Sequence, residues 1–213
     1  MSLLVFIAGS NYINATFTDS FLAPNSHLLT QAPMKETVDA FWSLVWNEHV
    51  CVIVNLLTDK ETDDDDDGNN NNNDDNNNNN HNDIVSYIPE TMGTSVTFGC
   101  YDVKYQQDEN VQKFYHCKHL VVSETSDNMT SSEKNMTSSE RRHVYYYHFT
   151  KWPTDIYPLG SNLMDFVSDI QTCYRRFPPL PGDCDVTVRP VLIHDRDGSS
   201  RAALLSLVLH LTE

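Results

Sequence analysis

The sequence is short of cysteine pairs, basic residues and long apolar runs. Its five cysteines form no CxxC pair and are odd in number, which favours a reducing compartment over a disulfide framework. No apolar run approaches the roughly 20 residues of a membrane span, so we expect none in this segment. Lysine and arginine number 14 against 30 acidic residues, a formal net charge of −16. That balance argues against nucleic acid as a partner.

The acidity is concentrated in one low-complexity tract. Residues 61–83 carry nine acidic residues and no lysine or arginine, which leaves 21 acidic against 14 basic residues elsewhere. A tract of Asp and Asn cannot bury enough apolar surface to offset its ordering entropy. A duplicated unit, Asn-Met-Thr-Ser-Ser-Glu, begins at Asn128 and again at Asn135. We therefore expect a single domain over residues 1–213, with disordered insertions at about residues 62–83 and 125–140.

The remaining chain mixes strand and helix patterns. Apolar residues at helical spacing predict one helix after Thr37 and another from Ser161. Alternating or continuous apolar runs predict strands over residues 11–17, 27–31, 49–58, 96–105, 113–122 and 142–150. Because strands and helices mix without strict alternation, the pattern indicates an α/β or α+β fold with a twisted mixed sheet flanked by helices.

The most informative stretch lies near the end of the chain. An apolar strand over residues 191–193 is followed by a short loop containing Gly198 and then by a helix. This layout aims backbone N–H groups and a helix N-terminus at an anion. Arg201 adds a guanidinium fork suited to phosphate. The other candidate residues of this anion site are His194, Asp195, Arg196, Asp197, Ser199 and Ser200.

The spacing resembles the signature of the protein tyrosine phosphatases, in which a strand ending in His precedes a nucleophilic Cys, five loop residues and Arg. Other segments are similar to the same family: Asn-Tyr-Ile-Asn-Ala at 11–15, Gln-Ala-Pro at 31–33, and Arg-x-Val…His-Phe-x-x-Trp-Pro over 142–153. The resemblance implies a tyrosine-phosphatase-like fold. It also implies truncation at both ends, because the family's substrate-tyrosine and glutamine loops have no counterpart in this segment.

Two departures from the family pattern concern activity. Asp195 stands where the family has its nucleophilic cysteine, and Thr154 stands where it has the aspartate that acts as general acid, with Asp155 one residue later. Aspartate for cysteine resembles the inactive, membrane-distal second domains of receptor-type phosphatases of the gamma and zeta type and their insect relative. The resemblance implies a catalytically impaired domain on the cytoplasmic side of a membrane receptor. Its partner would be a catalytic phosphatase domain of the same or another receptor chain, which it docks on or regulates.

A carboxylate at position 195 also affects phosphate binding. Like unit charges about 4 Å apart repel by roughly 4 kcal/mol at an effective dielectric near 20. We therefore expect Arg201 and the loop N–H groups to bind Asp195 itself, which leaves weak or no affinity for phosphate.

Two alternatives remain open, a module that binds a phosphotyrosine protein without cleaving it and a domain with residual phosphatase activity. Asp195-x-Asp197-Gly198 also resembles the DxDG motif of haloacid-dehalogenase-type phosphatases, in which the first Asp is the nucleophile and Mg²⁺ screens its charge. That motif needs a later Lys and further carboxylates, and only twelve residues follow Arg201. We therefore expect no metal and no cofactor.

Overall fold

The computed structural model describes residues 4–6, 12–21, 23–58, 84–125, 140–152, 161–178 and 188–213. The strands in these ranges are β1 (Leu4–Phe6), β2 (Tyr12–Thr18), β3 (His27–Gln31), β4 (Val52–Asn55), β5 (Ser95–Phe98), β6 (Tyr101–Val111), β7 (Tyr115–Glu124), β8 (Arg141–Phe149) and β9 (Val191–Asp195). The helices are α1 (Val38–Asn47), α2 (Ser161–Tyr174) and α3 (Ser200–Thr212).

These strands form one sheet in the order β1-β2-β3-β9-β4-β8-β7-β6-β5. The central strands β3, β9, β4 and β8 are parallel, and the strands outside them pair antiparallel. β4 and β9 are buried along their whole length, as expected for parallel strands with helices on both faces. The predicted mixed sheet flanked by helices is confirmed.

The helices divide the core into two layers. On one face of the sheet, Phe41 and Trp42 of α1 belong to the same buried cluster as Leu192 of β9. On the other face, Phe166 of α2 and Leu205 of α3 belong to a second buried cluster with Ile193. Successive side chains of a strand point to opposite faces, so neighbouring residues of β9 belong to different layers.

Two predicted strands differ from the observed ones. The prediction of one strand over residues 96–105 is wrong, because β5 and β6 form a hairpin around Gly99, whose φ of +56° lies in the left-handed region. The strand predicted over 49–58 begins later, at Val52. His49 and Val50 instead complete the end of α1, since their N–H groups donate to carbonyls of its last turn at 3.1 Å and 3.0 Å.

The topology brings the carboxyl ends of the parallel strands to one edge of the sheet. In register, Gln31 of β3 lies beside Asp195 of β9, and Asn55 of β4 lies beside His194. Loops at such an edge commonly carry the binding site of an α/β protein.

Several predictions concern segments outside the described residues. These are most of the two expected insertions, at residues 59–83 and 126–139, and the segment 153–160 that contains Thr154 and Asp155. Among the helices that the structure describes, none is both long and apolar enough to cross a membrane.

Candidate functional site

The candidate site is the loop between β9 and α3, and the carboxylate of Asp195 lies at its centre. Asp195 ends β9 and is 2% exposed. Its Oδ1 accepts hydrogen bonds from the backbone N–H groups of Asp197, at 3.2 Å, and Gly198. Its Oδ2 accepts from the backbone N–H groups of Arg201 and Ala202, at 2.7 Å and 3.0 Å. Four N–H groups of the loop and the first turn of α3 therefore converge on one side chain.

Asp197 holds the outer part of the same loop. Its Oδ1 accepts a hydrogen bond from the backbone N–H of Ser199 at 3.0 Å. Burial opposes ionisation of Asp197, but hydrogen bonds from the backbone and side chain of Ser199 and from the Ser200 backbone outweigh it and lower its pKa. Arg196, Ser199 and Ser200 are exposed on the surface of the loop.

Gly198 lets the loop turn tightly against β3. Its φ is +78°, in the region that favours glycine. A Cβ at this position would lie 2.6 Å from the carbonyl carbon of Thr30 and 2.7 Å from the backbone nitrogen of Gln31. Real Cβ atoms do not approach backbone so closely, so a larger residue must displace either the loop or β3.

Arg201 links the loop to the neighbouring strand. Its backbone N–H binds Asp195, while its guanidinium Nη1 donates to the carbonyl oxygen of Leu56 at 2.9 Å. Leu56 directly follows β4, and its own N–H donates to the carbonyl of His194 at 3.0 Å. The start of α3 and the ends of β4 and β9 are thus tied together.

His194 lies beneath the loop in the layer of α1. It is fully buried, and its Nε2 shares a hydrogen bond with the hydroxyl of Tyr87. Its ring also meets Phe41 edge-on, with centroids 6.1 Å apart. Burial, and secondarily the electrostatic effect of His148, lower the pKa of His194 to about 3. His194 is therefore a neutral residue that supports the loop from below.

Sequence reasoning missed the partners of His194. Asn55 donates through Nδ2 to the hydroxyl of Tyr146 at 2.7 Å, and its Oδ1 accepts from the N–H of Leu57 at 2.8 Å. Tyr146 in turn contacts Tyr87 edge-on, with ring centroids 5.9 Å apart. A buried polar network therefore connects β4, β8 and β9. The sequence signal was weak: a polar Asn within an apolar strand, and tyrosines at inward-facing positions.

The structure describes the segment that leads to Thr154 and Asp155 as far as Trp152. This residue is buried and meets Phe149, the last residue of β8, edge-on at 5.8 Å. Thr154 and Asp155 lie outside the described residues, so their roles stay predictions.

No group of three or more His, Cys, Asp or Glu side chains in the described ranges is arranged to hold a metal ion. Of the histidines near Cys117, His119 shares a hydrogen bond with His143 at 2.8 Å and stacks on Tyr145. Cys117 is buried in the core, where burial raises its pKa, so it is not a ready thiolate ligand.

The backbone N–H groups of the loop determine which anion it can bind. Backbone N–H groups at a helix start would hold three phosphate oxygens well, but here they already bind a carboxylate. Hydrogen bonds to an ionised acceptor are roughly twice as strong as neutral ones. An incoming phosphate would have to displace Asp195 from these donors or share them with it.

Comparison with known proteins relates this chain to a family. The chain matches the family model of the protein-tyrosine phosphatases over residues 5–213. It is 28% identical over 157 residues to receptor-type tyrosine-protein phosphatase C of Homo sapiens, which covers 74% of this chain and 10% of that protein. It is 26% identical over 213 residues to the Lar-like tyrosine-protein phosphatase of Caenorhabditis elegans, covering 98% and 8%. The chain therefore spans about a tenth of these receptor relatives.

A shorter relative and two solved structures extend the comparison. The chain is 25% identical over 200 residues to the probable tyrosine phosphatase protein N1 of Microplitis demolitor bracovirus, covering 93% of this chain and 54% of that protein. A solved structure of PTPN18 superposes with a TM-score of 0.71 at 18% identity, covering 99% of this chain and 62% of that one. A PTPN18 complex with HER2 phosphopeptides gives a TM-score of 0.67. At this identity the solved structures show a shared fold alone.

Proposed function

Since the chain belongs to the protein-tyrosine phosphatase family and is related to its receptor-type members, we propose that it is a catalytically impaired member. In this proposal the loop from His194 to Arg201, here called the signature loop, neither cleaves nor binds a phosphorylated tyrosine. The domain instead docks on or regulates a catalytic phosphatase domain of the same or another receptor chain, on the cytoplasmic side of the membrane. Its placement among the second domains of gamma- and zeta-type receptors belongs to the same proposal.

One observation carries the proposal: the carboxylate of Asp195 accepts hydrogen bonds from four backbone N–H groups of the loop. The family reaction needs a thiolate at this position, and an aspartate supplies none. A bound phosphate would also meet a like charge. At about 4 Å and an effective dielectric near 20, each pair of unit charges repels by roughly 4 kcal/mol, on the order of a thousandfold in affinity.

The fold supports a regulatory role in this proposal. The nine-stranded sheet and the buried hydrogen bond between His194 and Tyr87 give the chain an ordered core without a cysteine at position 195. Such a fold can still dock on a neighbouring domain, because docking needs shape and side-chain contacts but no nucleophile.

Two measurements test the proposal together. The first is turnover of p-nitrophenyl phosphate by the protein, with and without Mg²⁺. The second is association with a purified catalytic domain of a receptor-type tyrosine phosphatase, measured by sedimentation. We expect no turnover and measurable association.

The opposite results would point elsewhere. Mg²⁺-dependent turnover that is lost in Asp195→Ala would make Asp195 a nucleophile and overturn the proposal. Binding of a phosphotyrosine peptide that is lost in Arg201→Met would favour a phosphotyrosine-binding module. Absence of any association with the catalytic domain would remove the docking role.

A further inference from the structure

A basic cavity lies at the opposite edge of the sheet from the signature loop. It has a volume of about 380 Å³ and opens beside the amino ends of β4, β8 and β9. Its charged and aromatic walls are Arg141, Arg142, Arg189, Glu140, His49 and Phe177. None of these residues belongs to the signature loop or contacts it in the hydrogen-bond network described above.

The charge of this cavity is opposite to that of the chain. Three arginines against Glu140 give its walls a formal charge of +2, while the whole chain carries −16. Burial, and then the positive charges of Arg142 and Arg189, lower the pKa of His49. The two guanidinium groups therefore act on the same small volume, and an anion there would meet a favourable field.

The guanidinium groups are held in place before any ligand arrives. Arg142 lies over the ring of Trp46, with its guanidinium carbon 3.8 Å from the ring centroid. It also donates to the carbonyl of Trp46 and, through Nε, to Glu140 at 2.7 Å. Arg189 donates through Nε to the carbonyl of Pro178 at 3.2 Å. Side chains fixed in this way lose little further conformational entropy when they bind a ligand.

His49 adds a second, independent observation. It occupies the left-handed position just past α1, with a φ of +55°, where glycine or asparagine is the usual residue. The two N–H groups that close this helix end are those of His49 and Val50. A histidine here is conformationally costly, and its ring lines the cavity. Strain retained at a cavity wall suggests that the side chain has a use there.

We propose that this cavity binds a phosphate monoester, with the guanidinium groups of Arg142 and Arg189 on the phosphate and Phe177 against its organic group. Arginine suits this ligand because its planar fork matches two phosphate oxygens at once. The site is separate from the signature loop and does not depend on the proposed docking function.

The test is calorimetric titration of the whole chain with phenyl phosphate at low ionic strength, with glycerol 2-phosphate as the non-aromatic probe. We expect saturable binding that weakens as salt is raised. Arg142→Gln and Arg189→Gln should each weaken it about fivefold, the effect of about 1 kcal/mol per charge pair. Tighter binding of phenyl phosphate than of glycerol 2-phosphate would identify an aryl ester as the preferred ligand, and equal binding an unselective phosphate site.

Two controls locate the site. Arg175→Gln removes one exposed positive charge outside the cavity and should leave binding unchanged, as should Arg201→Met in the signature loop. His49→Gly should weaken binding while raising the melting temperature, a pair of effects that a loss of folding cannot produce. No saturation by about 10 mM ligand would overturn the proposal. Binding that the cavity substitutions do not change would also overturn it. So would binding that is lost in Arg201→Met.

Discussion

Removing the carboxylate of Asp195 should convert an occupied loop into an open anion site. Asp195→Ala leaves the N–H groups of Asp197, Gly198, Arg201 and Ala202 without their acceptor. A hydrogen bond to a charged group contributes about 1.5–3 kcal/mol, but water replaces part of that loss and such contributions are not additive. We therefore expect the variant to lose roughly 2–4 kcal/mol of unfolding free energy.

An added anion should restore much of this loss. At a concentration a hundred times its Kd, a ligand that binds only the folded state stabilises by about 2.7 kcal/mol. For a domain of this size, that raises the melting temperature by roughly 5–10 °C. The assay is thermal unfolding in formate, which replaces the deleted group, and in phosphate, each compared with chloride at equal ionic strength.

Asp195→Asn is the matched control. It removes the same charge but fills the same space, so it should gain little from either anion. A contribution from the basic cavity would be common to both variants and cancels in their comparison. If formate and phosphate stabilise the alanine variant no more than the asparagine variant, the loop N–H groups are not an anion-binding site that Asp195 occupies.

Gly198→Ala should lower the free energy of unfolding in urea by roughly 2–4 kcal/mol, because its φ is +78° and the new Cβ would meet the backbone of β3. The matched control, Ser199→Ala at an exposed position, should lower it by under about 0.5 kcal/mol. Equal losses would refute the close approach of Gly198 to β3. His194 takes up a proton more readily when unfolded, so it contributes stability that is present above pH 6.5 and lost as the pH falls towards about 3. Lowering the pH from 6.5 to 5 should cost about 2 kcal/mol more in the wild type than in His194→Gln, and equal losses would show that His194 is not kept neutral. Asp195→Cys alone should leave aryl phosphate turnover roughly 10²–10⁴-fold below that of an intact phosphatase domain, because Thr154 cannot donate the proton that a general acid supplies; turnover at the intact level would contradict this.

The sequence predicted those parts of the fold that depend on local pattern. The apolar run before Asp195 and the helix after Gly198 are adjacent in the chain, so their strand-loop-helix geometry follows from composition and spacing. The binding of Asp195 by loop N–H groups follows for the same reason. The hairpin at Gly99 was missed because the apolar alternation continues through it, although a glycine inside a strand pattern was an available sign.

Features that depend on sheet order could not be predicted. Tyr87 and His194 are 107 residues apart, and only the packed core brings their side chains into hydrogen-bond contact. The basic cavity likewise collects residues from a helix end, the start of β8 and the segment before β9. Arg142 and His49 carry no pattern that marks them as neighbours, because their proximity is set by the parallel pairing of distant strands.

Occupation of the loop donors by Asp195 can be measured at the backbone amides that bind it. Backbone ¹H–¹⁵N resonances of Gly198, Arg201 and Ala202 can be followed while the wild-type protein is titrated with a phosphotyrosine peptide. We predict that these three resonances stay in place, since their N–H groups already donate to Asp195. Saturable shifts of all three, abolished by Arg201→Met, would show that the phosphopeptide binds these N–H groups in spite of Asp195.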